Sequence, residues 1–520
     1  MQKIRNFYTY HKFEFIFLLL ILAVGAFLRF YRIGEYMTFL GDEGRDAIIV
    51  RRLLVDFDLI LIGPGTSIGN MYLGPLYYYL IAPSLFIFNF SPVGPSIFVA
   101  ALGVLTIWFI WFVAKDFFAE GRYDGGLAGL VASGLYAISP TVIIYSRSSW
   151  NPNVMPFFSL LAVWSIWRVW KRRQPKFLAL TAVAMAFVLQ SHYLGLLLVP
   201  TLGIFWALAF AEARYLKETS RYLQHTIYAA VLLAFLMSPL FIFDLRHGWI
   251  NFEAMKTFFT VRQTTVSARP WTALPDLWPM WQQIVTRLLA GRVEIVGAYF
   301  ALVSLTVLVW LAGLTKRIKL NPKEKSAFLI LVSWIGFGLV GFGIYKQHIY
   351  DHYFGFLFAA PFLLLGGIFE HAVEEYRLRG SWLVVTALIF LSYFNLINNP
   401  LQWGPNRQLQ RTEAVAEIIA QSADNKFNLA VIAERNYEDA YQYFLEKWET
   451  GVVDIDPLNS EETIADELYV VCELPENECD PTQNAKTEVA NFGWSKIENT
   501  WQIEGVTIFK LVHSEGEIEK

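Results

Sequence analysis

Residues 12–54 read KFEFIFLLLILAVGAFLRFYRIGEYMTFLGDEGRDAIIVRRLL, and this stretch decides the fold. From Phe13 to Tyr31 it is apolar over a length that crosses a bilayer, for which roughly 20 such residues are needed. FLRFYRIGEY follows where a secretion signal would carry small residues for cleavage, so a retained span is expected. The chain then turns polar. Asp42 and Glu43 open an amphipathic stretch in which Ile48, Ile49, Leu53 and Leu54 share an apolar side. Arg45, Arg51 and Arg52 lie on or beside its polar side. One reading makes Asp42 a helix cap, with Glu43 complementing the helix dipole. The other makes Asp42 a general base at the bilayer surface, tuned by neighbouring arginines. The two are compatible, because a cap also fixes a carboxylate in place.

Outward from this stretch the chain repeats the same grammar. Apolar runs suited to spanning lie near 13–31, 94–114, 126–144, 153–170, 176–190, 194–211, 226–243, 295–314, 326–344, 354–370 and 381–397. Basic residues collect in one set of turns: Lys3, Arg5 and Lys12; Lys115 and Arg122; Lys171, Arg172, Arg173 and Lys176; Arg214, Lys217 and Arg221; Lys316, Arg317, Lys319, Lys323 and Lys325; Arg377 and Arg379. These turns are predicted to be cytoplasmic. Arg29 and Arg32, at the outer end of the first span, run against that rule. Parity then requires residues 73–90 to begin and end outside, as a re-entrant or interfacial helix interrupted by Pro75 and Pro83. The long outer loops are 32–93 and 244–294, and the odd span number places the C-terminus outside.

Composition agrees. Of the 520 residues 55% are hydrophobic and only 17% charged, against about 25% charged in soluble domains. Residues 1–397 carry a net charge of +12 and residues 398–520 one of −15. The expected fold is therefore an all-α polytopic membrane body, 1–397, followed by a small soluble extracytoplasmic α/β domain, 398–520. A purely cytosolic enzyme is excluded. A nucleic-acid binder is excluded too, because the acidic soluble part repels phosphate backbones.

The sequence resembles the GT-C glycosyltransferases, in the branch of the protein O-mannosyltransferases and lipid A aminoarabinose transferases. The matching elements are LRFYRIGEYMTFLGDEGRDA at 28–47, GPLYYYLIA at 74–82 and the alternation of spans with basic turns that follows. One departure is that GPLYYY has a single proline where many members have two. The resemblance implies a GT-C fold of about eleven spans plus interfacial helices. It also implies transfer of a sugar from a polyprenyl-phosphate donor to a lipid, glycan or protein hydroxyl on the outer face. A single displacement would invert the anomeric centre. In the family the Asp of the acidic pair deprotonates the acceptor, a role carried here to Asp42, with Glu43 beside it. Lipid delivery of the donor also makes physical sense, since nucleotide sugars are absent outside the membrane.

A departing lipid phosphate needs cations or hydrogen-bond donors. The candidates are Arg45, Arg147 in SRSSWNPN, Arg246 in FDLRHGW, and Lys346 and His348 in YKQHIYDHY. The bland alternative is that such cations snorkel to lipid headgroups. Tyr77, Tyr78, His192, Tyr193 and His352 are candidates for the substrate loop. His348 and His352 are one helical turn apart with Asp351 between them, a spacing that suits a divalent metal, although hydrogen-bonded lining is the commoner outcome. The aminoarabinose-transferase branch of the resemblance implies a metal and the mannosyltransferase branch less so, which leaves a divalent metal open as a cofactor with no metal ligands assigned. GPGTSIG at 63–69 lacks the Lys-Ser/Thr and strand–turn–helix context of a nucleotide loop and reads as a flexible loop.

In the acidic tail, 407–422 and 436–448 read as helices, and 427–433, 468–473 and 494–512 as strands, the last as two. Without a glycine fingerprint no nucleotide is expected. Cys472 and Cys479 flank LPENE in an external domain, where a disulfide is expected over free thiols. Two other classes compete with the enzyme. A transporter or flippase of lipid-linked saccharides would show internal repeats and charges near the midplane. An envelope scaffold would not need an acidic pair beside arginines in its first loop.

Overall fold

In lipid every backbone N–H and C=O must be satisfied within its own segment, so long apolar runs become helices. The computed structural model describes residues 12–66, 69, 71–119, 123–260, 266–267, 269–309, 322–423 and 425–514. Lys3, Arg5, Arg122, Lys316, Arg317 and Lys319 of the basic turns lie outside the described residues, as do Ser67 and Ile68 of the glycine loop. Among the described residues six helices are long and apolar enough to cross a membrane: Lys12–Phe30, Val93–Phe118, Tyr193–Tyr215, Thr219–Arg246, Pro322–Ile344 and Ala359–Ile397. Shorter apolar helices occupy Gly126–Ile138, Phe177–Ser191 and Glu294–Val309, and Met155–Lys171 is helical as well. The protein is a polytopic membrane protein.

The run Ala359–Ile397 is two helices. Arg377 has φ 48° and ψ −119°, and a Cβ on Gly380 would lie 2.0 Å from the Ala372 carbonyl oxygen. In a continuous helix those residues would be about 12 Å apart along the axis, so the chain folds back here.

Segment 73–90 contains one helix, Leu76–Ile87. Its 12 residues extend about 18 Å, short of the ~30 Å hydrocarbon core. Pro83 sits inside it, which corrects the expectation of a broken element. Proline there removes one bond to the Tyr79 carbonyl without ending the helix.

The chain clusters into two compact units, Met1–Tyr31, Ile60–Leu80 and Ile97–Gly404 in one, and Arg32–Leu59, Ile81–Ser96 and Pro405–Lys520 in the other. In the first, charges near helix ends are paired, as buried charges must be. Glu14 accepts from Lys115 Nζ and Trp111 Nε1, both at 2.9 Å. Asp116 accepts from Arg168 at 3.1 Å and Arg172 at 2.7 Å. Glu370 accepts the amides of Gly125 (2.9 Å) and Ala128 (2.8 Å), capping Gly126–Ile138. Arg29 breaks the charge rule only on paper. It is fully buried, and its guanidinium donates to the carbonyls of Gly25 at 3.1 Å and Ala137 at 3.0 Å.

The second unit holds a four-stranded sheet of β1 (Phe427–Ile432), β2 (Glu467–Cys472), β3 (Ser495–Ile503) and β4 (Val506–His513) in the order β1-β2-β4-β3. β1 and β2 are parallel, and the other pairs antiparallel. Alternation along β1 sends Leu429 and Val431 to one face and Ala430 and Ile432 to the other. The first face packs on helices Gln408–Ser422 and Asp439–Lys447, together with Met37, Phe39, Ala47 and Ile48 of the first outer loop. The second face is covered by Val489 and Phe492 of Thr487–Phe492, a helix the sequence reading did not anticipate. Cys472 and Cys479 are joined, with Cα atoms 6.1 Å apart.

Candidate functional site

The acidic pair opens the helix Gly41–Val55, and its two members do different work. Glu43 is the cap. Its Oε2 accepts the Leu40 amide at 3.1 Å, and the side chain is buried. Burial, with a smaller contribution from Asp42 and Asp46, pushes its carboxyl up to about 8. This corrects the reading in which Asp42 caps the helix. Geometry decides it, because residue N3 of a helix can reach back to the first amide.

Between about pH 4.5 and 8 folded Glu43 therefore holds a proton that the unfolded chain has released. Stability falls as pH rises through that window, and the loss is complete above it. Glu43→Gln keeps an oxygen for the Leu40 amide and does not titrate. Its melting temperature should change less than the parent's between pH 5 and pH 8.5, and should exceed the parent's at the upper value. Parallel pH dependence in the two proteins would show that Glu43 does not titrate in this way.

Asp42 is left for other work. Its side chain is 42% exposed. Oδ1 accepts Arg45 Nη1 at 2.8 Å and the Tyr437 hydroxyl at 2.5 Å, while Oδ2 accepts nothing from the described residues. Arg45 also donates to the buried Asp46 at 2.8 Å, so two carboxylates neutralise it. The glycines of GDEG allow a close approach. A Cβ on Gly41 would lie 2.5 Å from the Tyr437 ring, and one on Gly44 would lie 2.4 Å from the Asp439 carbonyl oxygen.

The remaining candidates lie in the first unit. Arg147 is buried. It donates to the carbonyls of Leu28 (2.6 Å), Arg29 (3.1 Å) and Tyr31 (2.7 Å), closing the end of the first helix. Arg147→Met should cost roughly 3 kcal/mol or more, since it strands buried carbonyls. It should leave the Michaelis constant of the folded fraction for any anionic substrate unchanged. A raised constant at parental stability would instead identify Arg147 as an anion ligand.

Tyr77 and Tyr78 are buried, and the Tyr77 hydroxyl pairs with Ser149 at 2.7 Å. His192 Nδ1 accepts the Leu194 amide at 3.2 Å. Burial, and then the nearby His352, lower its imidazole to about 3. The Tyr193 and Tyr345 hydroxyls pair at 2.8 Å. His352 lies against Trp150, with ring centres 4.5 Å apart, and 5.9 Å from His192. The structure thus brings His192, Tyr193 and His352 together in an aromatic cluster with Trp150 and Tyr353. Arg246, Lys346 and His348 are exposed at their helix end and turn. An apolar groove of about 710 Å³ runs between Glu294–Val309 and both halves of Ala359–Ile397, lined among others by Tyr299, Phe300, Phe369 and Trp382.

The His348, Asp351 and His352 trio does not fit a divalent cation. Asp351 is held by Arg292 at 2.9 Å and Arg287 at 3.3 Å, and His348 stacks edge-on to Tyr350. Among the described residues no three His, Cys, Asp or Glu side chains converge as metal ligands. Sequence reasoning missed Arg287 and Arg292, and also Asn436, Tyr437 and Glu473 in the C-terminal region. One available signal was the polar turn ERNYED directly after β1, because functional loops favour the carboxyl ends of parallel strands.

A family model described as dolichyl-phosphate-mannose-protein mannosyltransferase matches residues 73–242. Among solved structures the chain is similar to ArnT from Cupriavidus metallidurans bound to undecaprenyl phosphate. The TM-score is 0.58 at 13% identity, over 95% of this chain and 97% of that one. This is a GT-C fold. ArnT in the apo state shows the same GT-C likeness, with a TM-score of 0.55, 13% identity and the same coverage. The apo oligosaccharyltransferase of Archaeoglobus fulgidus gives 0.53 at 14% identity, over 87% of this chain and 66% of that one. No curated protein matches in sequence. At such identities the GT-C fold is what is shared.

Proposed function

We propose that this protein is a membrane glycosyltransferase that moves a sugar from a polyprenyl-phosphate donor to a hydroxyl of a lipid, glycan or protein acceptor. The observation that carries the reading is Asp42, a half-exposed carboxylate held at Oδ1 with Oδ2 open. The GT-C fold supports it, as do the undecaprenyl phosphate bound to the similar ArnT and the mannosyltransferase description of the matching family.

In this reading Asp42 Oδ2 takes the acceptor proton as the acceptor oxygen attacks the anomeric carbon. The bond from that carbon to the phosphate oxygen breaks, the electron pair stays on the phosphate, and the centre inverts. Glu43 positions Asp42 by capping its helix, and Arg45 orients it. In this reading the exposed Arg246, Lys346 and His348 are the donors proposed for the leaving phosphate. The aromatic cluster of His192, Tyr193 and His352, with Tyr77 and Tyr78, shapes the substrate loop. The apolar groove offers room for a polyprenyl tail.

The N-terminus and the basic turns are placed in the cytoplasm. In the same reading residues 398–520 form a soluble domain outside a plasma membrane. No step uses a metal.

The test is transfer of labelled sugar by the purified protein from a panel of polyprenyl-phosphate sugars, with membrane lipids and envelope glycans as acceptors. Donor-dependent incorporation is expected. Translocation of an intact lipid-linked saccharide with no bond exchange would replace the enzyme by a flippase.

A further inference from the structure

The Asp42 carboxylate is held by a residue almost four hundred positions away in sequence. Tyr437 lies in the link between β1 and the helix Asp439–Lys447, and its hydroxyl donates to Asp42 Oδ1 at 2.5 Å. Its ring lies over Gly41 at a distance a single added Cβ would violate. The residue is anchored on both sides. Asn436 Oδ1 accepts the Gly41 amide at 2.9 Å and the Tyr437 amide at 3.0 Å. Asn436 Nδ2 in turn donates to Glu473 Oε1 at 2.5 Å. The same oxygen takes the Tyr441 hydroxyl at 2.7 Å, and Oε2 takes Arg411 at 3.2 Å. Glu473 directly follows the disulfide-bonded Cys472 at the end of β2.

This chain of bonds does more than hold the helix. Packing of the Tyr437 ring on Gly41 and of Gly44 on the Asp439–Ala440 backbone already docks Gly41–Val55. The hydroxyl donates to an oxygen that Arg45 also occupies, and it accepts Arg45 Nη1 at 3.3 Å. Two donors on Oδ1 fix the carboxylate's rotation and leave Oδ2 as the one oxygen open to an incoming proton. Burial pushes the Tyr437 phenol up, so it remains a donor across the working pH range.

We propose that Tyr437 of the C-terminal domain is a positioning residue for Asp42, pinning Oδ1 so that Oδ2 meets the acceptor hydroxyl. This rests on the reading of Asp42 as the base. It gives the C-terminal domain a part in the chemistry, exerted through Tyr437 and the Asn436–Glu473 support.

Tyr437→Phe keeps the ring and removes the hydroxyl. It should lower kcat about tenfold, in line with the cost of a slightly misplaced catalytic group, while both Michaelis constants stay within about twofold. A carboxylate that loses a donor is more basic, so the acid limb of the kcat–pH profile should move to higher pH. In an Asp42→Glu background, where the carboxylate no longer reaches the same point, Tyr437→Phe should have no further effect on kcat.

A merely structural tyrosine would lower the melting temperature and leave the acid limb in place. Should Tyr437→Phe fail to fold, 3-fluorotyrosine at 437 decides, because it keeps the shape and donates more strongly. The acid limb should then move to lower pH. Parental kcat and an unmoved acid limb in the folded variants, with an active parent, would overturn the role of Tyr437 alone. A parent that transfers no sugar from any polyprenyl-phosphate donor would overturn the reading of Asp42, and this inference with it.

Discussion

Asp42→Asn should lower donor-saturated transfer about a thousandfold, within the range that a positioned general base contributes. The substitution is nearly isosteric. An asparagine oxygen still accepts from Arg45 and Tyr437, the two donors that hold Oδ1 at 2.8 Å and 2.5 Å. The atom at the Oδ2 position becomes an amide nitrogen, which cannot take a proton. Because Glu43 rather than Asp42 accepts the Leu40 amide, helix capping is untouched. Expression, membrane insertion and melting temperature should therefore stay close to the parent's. The measurement is incorporation of labelled sugar at matched protein levels, and turnover within a few-fold of the parent would remove Asp42 from the chemistry. Asp42→Glu should recover part of the rate, since it restores a base displaced by one methylene.

Gly44→Ala should be as damaging by a wholly different route. The added methyl would sit 2.4 Å from the Asp439 carbonyl oxygen and 2.5 Å from Ala440 Cα, and both are backbone atoms. A crowded side chain can change rotamer, but backbone inside a helix must move as a body. Overpacking of this kind costs about 1–3 kcal/mol and occasionally more, and backbone opposition puts Gly44→Ala at the upper end. Displacing the helix also carries Asp42 away from Tyr437, so turnover should fall more than the melting temperature alone would suggest. Gly203→Ala is the control. Nothing lies within 4 Å of a Cβ there, and an alanine in a helix interior is neutral or slightly stabilising. Equal behaviour of the two variants in thermal unfolding would show that Gly41–Val55 does not dock tightly on Asp439–Lys447.

Much of the architecture was legible in the sequence because the bilayer allows so few solutions. An apolar run such as Val93–Phe118 has to be a helix, and the short, nearly continuous apolar run FNLAVI suits a strand buried on both faces. The break near Arg377 was visible as a basic turn between two apolar runs. The place of the acidic pair after the first span was visible as well, because its charges end the apolar pattern.

What local pattern could not supply was the partner of each polar group. Arg29 and Arg147 look alike in sequence, as basic residues near a helix end. One turned out to bind the carbonyls of Gly25 and Ala137, and the other those of Leu28, Arg29 and Tyr31. Asp351 looked like a companion of two histidines, yet it sits between Arg287 and Arg292 from a different segment.

The sequence by itself determined where most helices and strands form, and that Asp42 and Glu43 head a helix after the first span. Only the tertiary structure decided that Glu43 caps while Asp42 keeps one oxygen open, and that its other oxygen is held by Tyr437, itself supported by Asn436 and Glu473. The physical reason is one of range. Hydrophobic burial and backbone hydrogen bonding act on neighbouring residues with periods of 3.6 and 2, so they are written along the chain. A hydrogen bond across 395 positions depends on two directed groups meeting within about 3 Å, and that meeting exists only once the fold has brought them together.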